Sequence, residues 1–385
     1  MPRSAAPVKL PIAICFAGGA WCAVMAACGG GQPHTYMHNT PILRSPLVTA
    51  TTADAAAQAD DDAWLSVSKN HIVTRSGKPF HGRGANLHDP RSCDGCTYLP
   101  IDIAETERRA DELIDGWKAT LVRFDLESYA SDAYPKGDHR VDGQWQSILN
   151  DPAYFSAIRT IVKHMTDHGA YVLVSEWLDP TTTTNEWPTP ATDREWAELA
   201  RAFADNPRVL YGLVNEPHDA PAKNADAFTA LSRTTQTIRD VENALGAKHH
   251  VIAVPGVDGY ARNVAYYVEH PITAGGGVNI AYEVHVYNPP SDFEKMVVAP
   301  AARIPIVIGE FGPSTNPAMT LADVTTMMDL AEKLEIPYVA WNFHANCPPN
   351  LLQRVNDAGG CGVAMPLVPT PDWGVLIKKR LATPW

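Results

Sequence analysis

The chain has 385 residues, of which 45% are hydrophobic and 19% are charged, so it is long enough to bury a large core. This composition excludes a disordered polyelectrolyte. A formal net charge of −12 and the lack of a basic run argue against nucleic acid as a partner, because little positive charge could displace counterions from phosphates.

Residues 1–28 have the features of an export signal. Arg3 and Lys9 precede a run from Leu10 to Ala27 that carries no formal charge. The closing tetrapeptide MAAC resembles a bacterial lipoprotein signal, in which the cysteine is lipidated and becomes the new N-terminus. We therefore expect an exported protein that is anchored through Cys28 to a bacterial membrane, facing the periplasm or the cell surface. If Cys28 is not lipidated, ordinary signal cleavage would give a secreted protein.

Residues 29–62 are rich in Thr, Ala, Pro and Gly and show no sustained apolar period, which predicts a flexible tether. A folded domain is then expected over residues 63–385. Four cysteines remain in that domain, and in an exported protein they favour disulfides over a thiolate metal site. We predict a disulfide between Cys347 and Cys361. The pairing of Cys93 and Cys96 stays open, since their C-x2-C spacing permits zinc but a second such pair is missing.

The domain begins with a segment from Trp64 to Phe80 that predicts a β-hairpin with a turn at Ser76-Gly77. Short apolar runs then alternate with segments of helical character. The runs are FHGRGANL, ATLVRFDL, AYVLVSEW, RVLYGLVNE, HVIAVPG, NIAYEVHVY, PIVIGEF and PYVAWNF. Eight strands in alternation with helices predict a single (β/α)8 TIM barrel. A doubly wound sheet is the main alternative, but the glycine-rich turn expected after its first strand is missing.

In a β/α barrel the chemistry lies where the strands end and on the loops that follow. Five of the runs end in polar or aromatic side chains, namely Arg123, the pair Asn215 and Glu216, the pair His285 and Tyr287, Glu310, and Trp341. The fold would gather all of them around one mouth of the barrel, with the two glutamates facing its axis.

Two carboxylates that face each other across a concave site are what glycoside hydrolysis requires. One protonates the departing glycosidic oxygen, and the other attacks the sugar carbon or activates water. Arg123 would keep one carboxylate ionised, and on this interpretation Glu310 is the nucleophile and Glu216 the acid and later the base. Asn215 would bind the 2-hydroxyl of the attacked sugar, and Trp341 offers a flat apolar face for a sugar ring.

These segments resemble family 5 of the glycoside hydrolases, which belongs to a larger clan of retaining barrels. The resemblance is carried in order along the chain by GRGANL at 82–87, VRF at 122–124, VNEP at 214–217, HVY at 285–287, IGEFG at 308–312 and Trp341. NEP alone is a weak motif, and the joint order of the six segments makes the resemblance specific.

The resemblance implies that Glu216 is the acid/base and Glu310 the nucleophile. It also implies that Arg123, His285 and Tyr287 position this pair. Asn215 and Trp341 would contact substrate. The family retains anomeric configuration, which implies carboxyl groups about 5–5.5 Å apart. A β-linked glycan would be cleaved by double displacement without metal or organic cofactor, with β-glucan as the first expectation and β-mannan as the second.

One position departs from the family pattern. Where the family usually has a histidine after the third strand, this chain has Trp177. The substitution leaves both glutamates in place but changes the wall of the substrate site, so we expect a distinct sugar preference. His218 follows the NEP motif and is expected to line the cleft.

Two other classes of function remain open at this stage. A non-catalytic glycan-binding protein on the same scaffold is one, although the presence of both glutamates argues against it. A metal-dependent barrel hydrolase is the other, and it would need His or Asp ligands at short spacing on an early strand, which no run supplies. We expect a monomer whose partner is a polysaccharide or oligosaccharide.

Overall fold

The computed structural model describes residues 62–91, 101–126, 148–149, 151–178, 185–354 and 366–385, and the backbone of two short strands between 140 and 145. The predicted export signal with Cys28, nearly all of the predicted tether, and Cys93, Cys96 and Cys361 lie outside these residues. Among the helices in the described ranges, none combines the length and the apolar character needed to cross a membrane.

The strands are β1 (Ser66–Ser68), β2 (His71–Val73), β3 (Arg83–His88), β4 (Leu121–Leu126), β5 (Arg140–Val141), β6 (Gln144–Trp145), β7 (Tyr171–Glu176), β8 (Val209–Gly212), β9 (Ile252–Pro255), β10 (Ile280–Val286), β11 (Ile306–Phe311), β12 (Ser314–Thr315), β13 (Ala318–Met319) and β14 (Tyr338–Ala340). Eight of them form a closed barrel in the order β3-β4-β7-β8-β9-β10-β11-β14. Each barrel strand pairs in parallel with the next along the chain, and β14 pairs with β3. The predicted TIM barrel is therefore confirmed.

The helices are α1 (Ile103–Asp111), α2 (Pro152–Asp167), α3 (Pro190–Phe203), α4 (Asn224–Leu245), α5 (Tyr266–Glu269), α6 (Ala299–Ala301), α7 (Leu321–Lys333) and α8 (Trp373–Ala382). A π-helical turn, Glu112–Gly116, extends α1. The starts of α3 and α7 are fixed by capping boxes, in which Thr189 and Thr320 exchange hydrogen bonds with the third residue of the helix. Gly246, at a φ of 66°, ends α4 in the left-handed conformation that a residue with a side chain rarely adopts.

The predicted turn at Ser76-Gly77 is present, since Val73 pairs antiparallel with Pro79 and Ile72 accepts a backbone hydrogen bond from Phe80 around it. The structure adds an earlier turn that was not predicted. Lys69-Asn70 joins β1 to β2, and Lys69 takes a φ of 56°.

The hairpin packs against the N-terminal end of the barrel. Leu65, Ile72 and Phe80 form one buried apolar cluster with barrel-lining side chains such as Leu121 and Val339. A second, larger core lies between the strands and the helices. Apolar side chains fill the barrel interior at its N-terminal end, here called the base. Charged side chains therefore lie in the C-terminal half of the interior, where the candidate site is found.

Candidate active site

The candidate site is assembled from three barrel strands and three loops. Alternation along β10 turns Glu283 and His285 to the same inner face, and Tyr287 follows directly after the strand. Glu310 is the penultimate residue of β11, and Trp341 directly follows β14. Asn215 and Glu216 lie in the loop after β8. Arg123 lies inside β4 rather than at its end, since β4 continues to Leu126.

Arg123 is fully buried and organises the floor of the site. Its Nη1 donates to Asp125 at 2.6 Å, to Asn86 at 2.9 Å and to Glu310 at 3.2 Å. Its Nη2 donates to Asn215 at 2.9 Å, and its Nε lies 2.8 Å from Glu283. Burial lowers the pKa of Arg123, but the surrounding carboxylates outweigh burial and raise it above the ordinary value.

His285 connects the two sides of the site. One ring nitrogen, Nδ1, lies 2.8 Å from Glu216 Oε1 and 3.5 Å from Glu310 Oε2, and the other, Nε2, lies 3.0 Å from Glu283. Burial lowers the pKa of His285, whereas the carboxylates of Glu310, Glu216 and Glu283 raise it to about 10. The raised pKa favours the imidazolium form, in which both N–H groups donate to carboxylates.

Glu310 is 4% exposed and accepts hydrogen bonds on both oxygens. Arg123 donates to Oε1, and the hydroxyl of Tyr287 donates to Oε2 at 2.9 Å. Burial raises the pKa of Glu310 to about 7 and the Glu216 carboxylate acts in the same direction, against His285, Arg123 and the Tyr287 hydrogen bond. Three separate donors or cations thus favour the ionised form of a carboxylate that burial disfavours.

Glu216 is more accessible, with 24% of its side chain exposed. A carboxylate oxygen of Glu216, a ring nitrogen of His285 and a carboxylate oxygen of Glu310 all lie within 4.8 Å of one another. The two glutamates therefore face each other at short range across the mouth of the barrel. The same three groups could also bind a cation, and metal analysis of the purified protein tests that alternative.

Glu186, in the loop before α3, places a further carboxylate beside Glu216. Glu186 was not among the residues predicted from the sequence. Glu186 Oε2 accepts a hydrogen bond of 2.6 Å from the backbone N–H of Glu216. Glu186 adopts a φ of 50°, which is strained for a residue with a side chain. Burial and the nearby Glu216 carboxylate raise the pKa of Glu186 to about 7, and the backbone hydrogen bond opposes this rise.

A cleft of about 550 Å³ opens over the two glutamates. Trp177 and Trp341 line one part of it, with ring centroids 5.7 Å apart and planes inclined by only 15°. Tyr260 lines another part and stacks on His218 at 4.8 Å. His218 Nδ1 also lies 2.9 Å from the carbonyl oxygen of Glu216.

Trp177 thus lies on the cleft wall, as the sequence predicts. His218, which was expected to line the cleft, is not among the residues that line it; it stacks on Tyr260 and contacts the main chain of Glu216 instead. Tyr260 was not among the predicted residues, and it is 49% exposed on a backbone with a φ of 64°.

Cys347 carries a free thiol in the structure, and the disulfide predicted between it and Cys361 stays a prediction. The Cys347 side chain lines the cleft and forms a hydrogen bond with buried His88. Cys361 lies outside the described residues. The export context made a disulfide the better expectation, but the surroundings of Cys347 give its sulfur a polar partner at the site.

A closed parallel barrel whose mouth holds two facing glutamates, a buried arginine and an aromatic-lined cleft is the arrangement of a glycoside hydrolase. A family model described as cellulase (glycosyl hydrolase family 5) matches residues 73–347. The chain belongs to this family, as its motifs predict, and it is a glycoside hydrolase.

Individual relatives are distant. Endoglucanase CelA from Streptomyces lividans is 24% identical over 372 residues, which is 93% of this chain and 71% of that protein. Among solved structures, the catalytic domain of endoglucanase Cel5A from Thermobifida fusca has a TM-score of 0.63 at 19% identity and covers 85% of this chain and 99% of that one. The β-glucanase SdGluc5_26A from Saccharophagus degradans, solved with cellotetraose, has a TM-score of 0.59 at 18% identity, covering 83% and 92%.

Proposed function

We propose that this hydrolase cleaves β-linked glucans with retention of anomeric configuration, with Glu310 as nucleophile and Glu216 as acid and then base. The observation that carries the proposal is the separation of the two carboxylates. An oxygen of Glu216 and an oxygen of Glu310 lie within 4.8 Å of each other. Retaining enzymes place their carboxyl groups about 5–5.5 Å apart, whereas inverting enzymes need about 6.5–9.5 Å to admit a water molecule between carboxylate and sugar.

In the first step, a Glu310 oxygen attacks the anomeric carbon while Glu216 gives its proton to the glycosidic oxygen, whose bond to that carbon breaks. In the second step, Glu216 takes a proton from water, and the water oxygen displaces Glu310 from the sugar. Two features support the assignment. Glu310 accepts from both Arg123 and Tyr287, which hold its carboxylate in place and oppose the burial that raises its pKa to about 7. Glu216 is the more exposed of the two carboxylates, which suits a group that has to reach both the leaving group and the attacking water.

Asn215 supports the substrate side of this mechanism. Its Oδ1 accepts a hydrogen bond from Arg123, so its amide nitrogen is the group that would donate to the 2-hydroxyl of the attacked sugar. The nearly parallel rings of Trp177 and Trp341 give the cleft an aromatic wall suited to the apolar face of a pyranose. The endoglucanases and the β-glucanase that resemble this chain favour a β-glucan as substrate, with β-mannan second.

The test is a screen of the purified protein and its Glu310→Gln variant on soluble β-glucans, β-mannans and aryl β-glycosides. We expect hydrolysis of a β-glucan that falls by roughly four orders of magnitude or more in the variant, as when other covalent nucleophiles are removed. Glu335→Gln, at the opposite end of the barrel, is the matched control and should keep full activity. Proton NMR of the first product anomer then decides between retention and inversion.

The outcomes of the screen distinguish between the assignments of nucleophile, substrate and class of protein. Full activity of Glu310→Gln would refute the assignment of the nucleophile, and activity on mannan alone would replace the glucan by the second substrate. Sugar binding without turnover by the unmodified protein would identify a glycan-binding protein. Loss of activity on treatment with a chelator, restored by a metal, would favour the metal-dependent alternative.

We also propose that the protein is exported and anchored through a lipid on Cys28, on the strength of the sequence around residues 25–28. Expression of the full chain in a bacterium with a labelled fatty acid tests this. We expect label in the membrane-bound protein and none in a Cys28→Ser variant. A secreted, unlabelled wild-type protein would contradict the lipid anchor.

A further inference from the structure

A cluster of aspartates and histidines lies at the end of the barrel opposite the cleft. Asp111 ends α1 and Asp115 lies in the π-helical turn that follows, so the two are four residues apart. His164 lies in the last turn of α2 and His168 directly follows its last residue as the C-cap, so these two are also four residues apart. Both helix ends lead into the starts of β4 and β7, which places the Asp/His cluster at the N-terminal face of the barrel.

The cluster brings four side chains to one point between the two helices. Residues four apart on a helix project on the same side, and the two imidazole rings lie 4.5 Å apart. His164 Nε2 lies 2.6 Å from Asp111 Oδ1, and His168 Nδ1 lies 2.7 Å from Asp115 Oδ2 and 3.8 Å from Asp111 Oδ1. Ligand atoms of Asp111, His164 and His168 all lie within 4.8 Å of one another.

We propose that the Asp/His cluster is a binding site for a divalent transition-metal ion, with Zn²⁺ as the occupant. Two imidazole nitrogens and carboxylate oxygens are ligands that Zn²⁺ accepts in a four-coordinate shell, whereas Mg²⁺ and Ca²⁺ prefer oxygen alone. A pair of histidines four residues apart on a helix needs little rearrangement to share one ion. Asp111 lies near both rings, so an ion between them would link α1 to α2.

Two further features of the surroundings suit a cation. Glu107 Oε1 lies 3.9 Å from the other nitrogen of His164, Nδ1, where a small shift would let it orient the ring, as carboxylates commonly do behind metal-bound histidines. The His164 and His168 side chains are 25% and 35% exposed, so an ion and a completing water can enter from solvent. Without an ion, the same contacts are exposed imidazole–carboxylate pairs of small energetic value.

The ion would act on stability, since it ties together two neighbouring helices of the outer ring and lies far from the cleft. A ligand that binds only the folded protein raises the melting temperature. At a hundredfold excess over its dissociation constant, Zn²⁺ should raise the melting temperature of a domain of this size by about 4 °C. Hydrolytic activity should not change.

The experiment is calorimetric melting of the full chain, purified through a tag without histidine and treated with a chelator, with Zn²⁺ or Mg²⁺ added. We expect a rise with Zn²⁺ only, and its loss in the His164→Ala/His168→Ala variant. The matched control is His71→Ala/His81→Ala. That pair flanks Glu335 at the same face with similar exposure, but at 3.8 Å from the carboxylate, and its removal should leave the Zn²⁺ effect intact.

The milder His168→Gln variant and absorption spectra with Co²⁺ guard against a misfolded double variant. Co²⁺ bound by nitrogen and oxygen in a low-coordinate site should give visible bands that disappear in His168→Gln. The proposal is overturned if Zn²⁺ and Mg²⁺ act alike, if the Zn²⁺ effect survives the double variant, or if it is lost in the His71/His81 control.

Discussion

The two ends of the barrel each bury an arginine, glutamate and histidine network, and the two networks are built differently. At the base, Arg239 donates to Glu242 at 2.5 Å and to the carbonyl oxygens of His250 and Val278. Glu242 accepts on its other oxygen from the backbone N–H of His250 and lies 2.9 Å from its ring. One cation faces one anion there, and backbone groups supply most of the other contacts.

At the mouth, the carboxylates outnumber the cations. Arg123 and His285 face Asp125, Glu216, Glu283 and Glu310. The pKa of Glu310 at the mouth and that of Glu242 at the base move in opposite directions, whereas Glu283, also at the mouth, has a lowered pKa because Arg123 and His285 outweigh its burial. Burial raises the pKa of Glu242, but His250 and Arg239 outweigh burial and hold it below the ordinary value. For Glu310 burial and the Glu216 carboxylate prevail, and the pKa rises to about 7.

The contrast separates a structural ion pair from a reactive one. In the base network the arginine faces a single carboxylate, and backbone carbonyl oxygens accept from its Nη2. The mouth network holds surplus negative charge near a cleft, and folding alone gives no reason to accumulate it, since each buried carboxylate without a full partner costs several kcal/mol. An arrangement of charge that costs stability in this way is typical of a functional site.

The largest expected effect is on the mouth. Glu216→Ala should slow hydrolysis of glycans by roughly 10²–10⁴, because it removes the proton donor to the leaving oxygen. A dinitrophenyl glycoside leaves without protonation, so the formation of the glycosyl-enzyme from it should be nearly unaffected. Pre-steady-state and steady-state rates on both substrates measure this, and azide should restore turnover by replacing water as the attacking group. Equal losses in the rate of glycosyl-enzyme formation from both substrates would refute the role of Glu216 as acid.

The second prediction concerns the base. Glu242→Ala leaves the Arg239 guanidinium buried without its partner, which should lower the free energy of unfolding by about 3–5 kcal/mol. The kcat of the folded fraction should stay at the wild-type value. Urea denaturation at neutral pH measures the first quantity and active-site titration the second. If the variant is stable but inactive, the separation of the two networks is wrong.

The pH dependence of stability should have opposite signs for Glu310 at the mouth and Glu242 at the base. Glu310 has a raised pKa in the folded protein, so its favourable contribution is present below its unfolded value of about 4.3 and is lost as pH rises to about 7. Glu242 has a lowered pKa, so its contribution is present above about pH 4.3 and is lost in acid.

Glu310→Gln should therefore be more stable than the wild type at pH 8, by on the order of 3 kcal/mol, and equal to it near pH 4. Glu242→Gln should instead be less stable than the wild type at pH 8 and approach it in acid. Denaturation series at several pH values compare the two variants. A stability difference for Glu310→Gln that does not change with pH would contradict the raised pKa.

The eight strands and the residues of the mouth could be predicted because their signals are local. Alternation and apolar runs locate the strands, and the rule that barrel chemistry lies at strand ends selects Glu216, His285 and Glu310. The same alternation could have identified Glu283, two residues before His285, and Asp125, two residues after Arg123, as inward-facing partners. Neither residue was among those predicted from the strand ends.

The rest could not be predicted because it depends on contacts between distant segments. Cys347 forms a hydrogen bond with His88, although more than half of the chain separates the two residues in sequence. This contact, which gives the free thiol of Cys347 a polar partner, is not visible in the sequence. Glu186 belongs to a loop without periodicity, and only the folded chain shows that its carboxylate reaches the backbone of Glu216. The position of Tyr260 depends on a left-handed backbone that its side chain does not favour.

The smallest predicted effect falls on Glu186, which touches the mouth network without belonging to its buried core. Glu186→Ala removes the acceptor of the Glu216 N–H and should lower kcat on glycans by about tenfold, the cost of one hydrogen bond to a charged group. Glu186→Gln keeps a carbonyl acceptor at that position and should recover most of the rate. On a dinitrophenyl glycoside both variants should form the glycosyl-enzyme at the wild-type rate, since a displaced acid does no harm where none is needed. A loss of equal size in the rate of glycosyl-enzyme formation from both substrates, or one that Gln does not repair, would mean that Glu186 acts through its charge or on the fold rather than by positioning Glu216.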